Sequence, residues 1–236
     1  MKNTKIFKYT AFIIGGLILG AILLGVLNGL VGKGEWNLGW TNYRYDDSAY
    51  HTGEGTIPAS ALEKIEVDWI DGNVTVVICR DAYVSVSESA PAELSQKTQV
   101  HWYVSEDGKT LSIKYRGSSS FWGATKDKEK DLILRIPEKL IGQLQTLSIN
   151  AVSSNVTVSN IVVDNIDVKT ASGDVAIELS EATAFALTYE SKRGGVPTID
   201  FPVTQEGNTY VSGIDGIKIN VKTNSGKVAV TSSKSK

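Results

Sequence analysis

Four twelve-residue stretches of this chain superimpose without a gap, and that self-similarity limits the fold more than any other feature. They are residues 65–76 (IEVDWIDGNVTV), 147–158 (LSINAVSSNVTV), 166–177 (IDVKTASGDVAI) and 219–230 (INVKTNSGKVAV). Positions one, three, ten and twelve are aliphatic in every unit. Positions seven to nine are turn formers: Asp71-Gly72-Asn73, Ser153-Ser154-Asn155, Ser172-Gly173-Asp174 and Ser225-Gly226-Lys227. Such residues supply positive φ or bond their own backbone. Each unit therefore predicts strand, tight turn, strand, with aliphatic residues on one face and Ser, Thr, Asn, Asp and Lys on the other. Gly72, Ser154, Gly173 and Gly226 are the expected structural turn residues.

Leu147 and Ile166 are 19 residues apart, and 19 further on Phe185 opens FALTYES, a copy of the first half-unit that Gly194-Gly195 interrupts. That period is too long for a hairpin and suits one coil of a solenoid whose equivalent strands lie parallel and in register. The expected fold is all-β, with a parallel β-solenoid-like stack over residues 144–232 and an antiparallel β-sandwich as the alternative. In a stack, equivalent outward residues line up. The spacing aligns Ser148, Asp167 and Ala186, and beside them Asn150, Lys169 and Thr188, the candidate binding face.

Between the first and second units the pattern differs. Residues 100–104 and 111–115 flank Asp107-Gly108 and read as an antiparallel hairpin. Residues 116–131, rich in Gly, Ser and Lys, predict a loop. Leu132, Leu134 and Ile136 resume alternation until Pro137, which cannot donate to a ladder. Residues 91–97 suit a short turn, and no long helix is expected in this part of the chain.

Ahead of the repeats, residues 11–31 carry no charge and would span about 31 Å as a helix, the thickness of a bilayer core. Lys2, Lys5 and Lys8 precede this segment and no acid does, so the positive-inside rule keeps the N-terminus cytoplasmic. The expected organisation is a cytoplasmic N-terminus (1–9), a transmembrane helix (10–32), a juxtamembrane linker (33–59), an extracytoplasmic β-repeat domain (60–232) and a polar tail (233–236). Trp36, Trp40, Tyr43 and Tyr45 suit either the outer headgroup level or the edge of the domain. Gly16, Gly20, Gly25 and Gly29 have the small-xxx-small spacing that permits weak self-association.

Of 24 basic and 26 acidic residues, only three lysines lie before Lys33, so the remainder is net acidic. That balance argues against nucleic acid as a partner. The single cysteine, Cys79, excludes an internal disulfide framework. No cofactor or metal motif is present. Gly108-Lys109-Thr110 lacks the upstream glycine of a phosphate loop and falls in a hairpin turn. His51 and His101 lie in unrelated contexts, and His101 reads as an ordinary strand residue. Asp68 and Asp71, with Asp164, Asp167 and Asp174, could form an acid pair or a Ca²⁺ site only if the first and third units adjoin. The plainer reading puts Asp71 and Asp174 in turns and Asp68 and Asp167 on solvated strand faces.

The run Asp131-Leu-Ile-Leu-Arg-Ile-Pro137, the Leu147-Ser-Ile149 start and the repeated Ser-Gly-Asp-Val turns resemble the bacterial family of β-strand-repeat domains that carries an adhesin label, including the LiaG-like membrane proteins of Gram-positive bacteria. The resemblance covers residues 60–232, apart from Ser154 in place of Gly and the broken unit after Ser191. It implies an extracytoplasmic, non-enzymatic domain with no catalytic residues. The leading expectation is a membrane-anchored module that binds a cell-wall polymer or another membrane protein. A structural or signalling part in an envelope-stress system is the alternative, and a carbohydrate-active enzyme is the third.

Overall fold

The structure, a computed structural model, describes residues 43–58, 61–119 and 129–233. The predicted transmembrane helix lies outside them. Among the described residues no helix is long and apolar enough to cross a membrane, and the helical content is one 3-10 turn, Glu138–Leu140.

Strict apolar alternation leaves these segments no state but extended, because only a pleated strand can turn every second residue toward one core. The two longest strands are β3 (Lys64–Cys79) and β8 (Thr146–Ser159), each holding a whole repeat unit. In the other two units the turn separates the halves, giving β9 (Asn165–Ser172) with β10 (Val175–Ser180), and β15 (Ile217–Ser225) with β16 (Val228–Ser233). At the corner of β3 both Trp69 and Ile70 are buried, so the alternation changes phase there and the strand re-aims its second half.

The units stack parallel and in register. β3 pairs with β8, β8 with β9 and β10, β9 with β15, and β10 with β16. Two further coils flank the four repeat units, one outside the expected range of 144–232 and one, the Phe185 half-unit, inside it. On one side of β3 lie β6 (Thr110–Lys114) and β7 (Asp131–Pro137), the halves of a coil split by residues 115–130. At the far end β11 (Phe185–Ser191) and the short β12 (Thr198–Ile199) flank β15 and β16. Six coils thus lie in the spatial order β6/β7, β3, β8, β9/β10, β15/β16, β11/β12, and at each end the last two are exchanged relative to the chain.

This order corrects the expected succession of coils. The Ile219 unit, not the Phe185 unit, lies against Ile166. Its pattern is complete on both halves, whereas β12 has two residues between Pro197 and Pro202 and can only serve as an edge.

Antiparallel pairing is confined to the flanks. The predicted Asp-Gly hairpin joins β5 (His101–Val104) to β6. β1 (His51–Thr52) extends β5, while β2 (Gly55–Pro58) and β4 (Tyr83–Ser89) extend β7. β13 (Thr204–Glu206) and β14 (Thr209–Ser212) extend β11. The sandwich alternative therefore describes only the ends. The fold is a mixed, all-β, solenoid-like stack, and its alternate aliphatics, including Ile65, Val76, Leu147, Val168, Ile219 and Val230, form one core.

Residues 43–58, assigned above to a linker, are built into this domain. Tyr43 is buried, and its hydroxyl accepts the Tyr115 N–H at 3.1 Å. Tyr45 packs on the same core and donates to the Arg116 carbonyl at 2.7 Å. Both are domain aromatics, while Trp36 and Trp40 lie outside the described residues.

Candidate functional site

Parallel, in-register strands turn each outward repeat position into a row of side chains crossing the sheet about 4.8 Å apart. Two adjacent rows occupy the middle of the outer face of the first half-coils, beside a third made of Thr110, Lys64, Thr146, Asn165, Lys218 and Ala186. One runs Tyr103, Ser112, Glu66, Ser148, Asp167, Asn220, Thr188. The next runs His101, Lys114, Asp68, Asn150, Lys169, Lys222, Glu190. Asn150 and Lys169 are neighbours, as the repeat predicts. Thr188 is not with them: it lies beside Asn220 in the adjacent row, and Ala186 pairs with Lys218. Both Ile166 and Leu187 register with Ile219, so the offset between their strands is 21 residues rather than 19. A shift of two keeps every residue on its expected face while moving it one row along.

Within each row, neighbouring side chains are joined by hydrogen bonds and ion pairs. Asn150 Nδ2 donates to Asp68 Oδ1 at 3.0 Å, and the Lys114 ammonium pairs with Asp68 Oδ2. Asn220 Nδ2 donates to Asp167 Oδ1 at 2.8 Å. Lys222 faces Glu190 across 3.4 Å, both side chains more than half exposed. β8 separates the first and third units, so Asp68 and Asp167 stand two strands apart in different rows and form no acid pair. Asp71 Oδ1 accepts the Gly72 N–H, and the Asp164 carbonyl accepts the Lys218 N–H. Among the described residues no three His, Cys, Asp or Glu side chains gather where they could hold a metal.

The repeat turns form a second column. Gly72, Gly173 and Gly226 have φ of +97°, +123° and +149°. A Cβ on Gly173 would lie 2.1 Å from the Ser154 carbonyl oxygen, and one on Gly226 would lie 2.2 Å from that of Gly173. Glycine is needed because each corner seats directly on the backbone of the coil below. Ser154 adopts a conformation open to L residues, yet its hydroxyl is buried without a hydrogen-bond partner. Position nine ties the corners together. Asn155 Nδ2 donates to Asn73 Oδ1, the Asp174 N–H to Asn155 Oδ1, and the Lys227 N–H to Asp174 Oδ1. Asp174 is thus committed to the turn ladder.

At the β5 edge the polar face ends in an aromatic wall. The Tyr50 ring lies 5.4 Å from Tyr103 and 6.4 Å from His101, and the Lys114 ammonium sits 5.7 Å from the centre of the Tyr45 ring. Burial raises the Tyr50 phenol above its ordinary range, against the nearby Lys114 charge. His101 is held below the usual imidazole range by burial, and its ring nitrogens bond the hydroxyls of Tyr45 and Thr52 at 3.0 and 3.1 Å. It is part of the wall's scaffold.

The repeat pattern does not reveal the buried pair behind this wall. Lys130 Nζ lies 2.5 Å from Glu88 Oε2 and 2.7 Å from the Thr98 carbonyl, between the rings of Trp69 and Tyr115. The two charges are 42 residues apart, with no spacing to connect them. Lys130 and Arg116, both read as loop residues, are buried.

A family model described as Toastrack DUF4097 matches residues 62–236. Among solved structures, a "putative cell adhesion protein" from Clostridium sporogenes superimposes with a TM-score of 0.53 at 13% identity, covering 78% of this chain and 100% of that one. At that identity the likeness concerns the fold. No curated protein sequence matches.

Proposed function

Because the chain belongs to the Toastrack DUF4097 family, we propose that it is a non-enzymatic binding module held at the cell membrane by its N-terminal apolar segment, with the β-repeat domain outside. The observation that carries this reading is the outer face of the first half-coils, where six strands present matched polar positions in register. Repeated outward side chains suit a repetitive surface partner, because many weak contacts add when adjacent rungs engage together. A cell-envelope polymer has that character. The adhesion label of the Clostridium sporogenes protein is consistent with it.

The test uses the full-length protein in detergent micelles and cell walls stripped of protein by protease. The walls should retain the protein, and the triple variant Asn150→Ala, Lys169→Ala, Asn220→Ala should pass through unretained while still unfolding cooperatively, its stability lowered by only about 1 kcal/mol through the loss of two exposed hydrogen bonds. Loss of an envelope-stress response without any wall binding would favour the signalling alternative and remove this reading.

A further inference from the structure

We propose that the outer face of the first half-coils is a groove for a linear acidic glycan, stacked on Tyr50 and Tyr103 at one end and held by Lys169 and Lys222 at the other. The proposal rests on the binding-module reading and names the ligand class of the same face.

Three features of the face meet in this chemistry. Tyr50 and Tyr103 stand on the outer side of the sheet, half-buried, with their rings inclined at 37°. Tyr103 continues the row of Ser112 and Glu66. Core packing does not require aromatics there, whereas the C–H face of a sugar ring sits well on a π face. Next come the amides and carboxylates of Asp68, Asn150, Asp167 and Asn220 on successive strands. Asn150, Asp167 and Asn220 each use one oxygen or nitrogen on a neighbour and keep further hydrogen-bonding capacity for hydroxyls, while Asp68 engages Asn150 with one oxygen and Lys114 with the other. Finally, Lys169 and Lys222 lie directly opposite each other on β9 and β15, both exposed. Like charges so placed repel. Among the described residues Lys169 has no acidic partner, and Lys222 has only the solvated Glu190. A ligand carboxylate seated between the ammonium groups removes that repulsion.

Spacing and charge select among polyanions. From Tyr103 on β5 to Lys169 on β9 the face spans four strand separations, about 19 Å, a distance bridged by a short run of sugar rings. Glu66, Asp68 and Asp167 lie within that span, so a ligand with charge at every unit is repelled along the middle. A chain with neutral sugars between its acidic ones meets charge only at the lysines. The opposite outer face offers Thr75, Thr157, Ala176 and Ala229 in its equivalent row, and among the described residues its exposed aromatic is Tyr83 at the β4 edge, without a facing partner ring.

The test measures binding to the full-length protein in detergent micelles by calorimetry. The probes are short and long hyaluronan fragments, which alternate neutral and acidic sugars, and chitohexaose, a neutral β-linked chain. Long hyaluronan fragments should bind more tightly than short ones. Tyr103→Ala should weaken hyaluronan and chitohexaose alike by about tenfold. Lys169→Ala with Lys222→Ala should weaken only hyaluronan, by about tenfold, and flatten its salt dependence. Glu178→Ala on the opposite face should change neither. Tyr103→Phe should retain binding, which separates loss of stacking from loss of fold.

Absence of hyaluronan binding, or binding that ignores both the tyrosine and the lysine changes, overturns the proposal. If protease-treated walls are still retained through the face in that case, the binding-module reading stands and only the glycan assignment falls. If the walls are not retained either, both fall.

Discussion

Asn155 Oδ1 accepts the backbone N–H of Asp174 at 3.0 Å, joining the corner of one coil to the corner of the next. The same position bonds in both directions, since Asn155 Nδ2 reaches Asn73 Oδ1 at 3.1 Å. Replacing Asn155 by Ala removes two exposed hydrogen bonds and should destabilise the domain by about 1 kcal/mol. Urea unfolding measures this, and no change in midpoint would show that the ladder only follows the stacking.

Gly173 and Ser154 face each other on adjacent coils and should respond in opposite ways to alanine. Gly173→Ala drives a Cβ toward the Ser154 carbonyl at positive φ and should destabilise by about 3 kcal/mol. Ser154→Ala removes a buried hydroxyl that has no partner, so stability should hold or rise by up to about 1 kcal/mol. Thermal unfolding of the two variants side by side decides the matter.

Val168 is fully buried and Lys169 exposed, although they are adjacent. Val168→Asp should lower stability by about 4 kcal/mol or abolish folding, while Lys169→Asp should stay within about 0.5 kcal/mol of the parent. Equal sensitivity at the two positions would contradict the alternation.

Removing one partner of the Lys130–Glu88 pair leaves a buried charge alone. Lys130→Met should therefore destabilise by about 3 kcal/mol. Adding Glu88→Gln to it should recover part of that loss, because Gln can still accept the Val100 N–H. A double variant as unstable as the sum of the single ones would show that the two side chains are not coupled.

The proposed orientation is tested with one thiol. Ile214 is 87% exposed, so Ile214→Cys in a Cys79→Ser background should react with a membrane-impermeant reagent on intact, wall-stripped cells. Labelling only after lysis would place the domain in the cytoplasm.

The sequence by itself determined the local state of the repeat strands, of β5 to β7 and of β11, and the face to which most of their side chains turn, but not the short flanking strands β1, β2, β4 and β12 to β14. Residues such as Ile166, Val168 and Lys169 have one face to occupy once the period is two, and turns such as Gly173-Asp174 need positive φ wherever the strands go. It also determined that Asn150 and Lys169 are neighbours, because both lie in intact units separated by a constant spacing.

Only the tertiary structure decided which coil lies next to which. Every strand pair gains similar backbone hydrogen bonds, so neighbour choice depends on which units are complete enough to be covered on both sides. The Ile219 unit is complete and enters the stack. The β11/β12 coil, broken by Gly194, Gly195 and Pro197, becomes an edge and carries Thr188 one row away from Lys169. The aromatic wall and the Glu88–Lys130 pair were set at the same level. Their members come from segments with no common period, and they meet only because β5, β6 and β7 close one end of the stack.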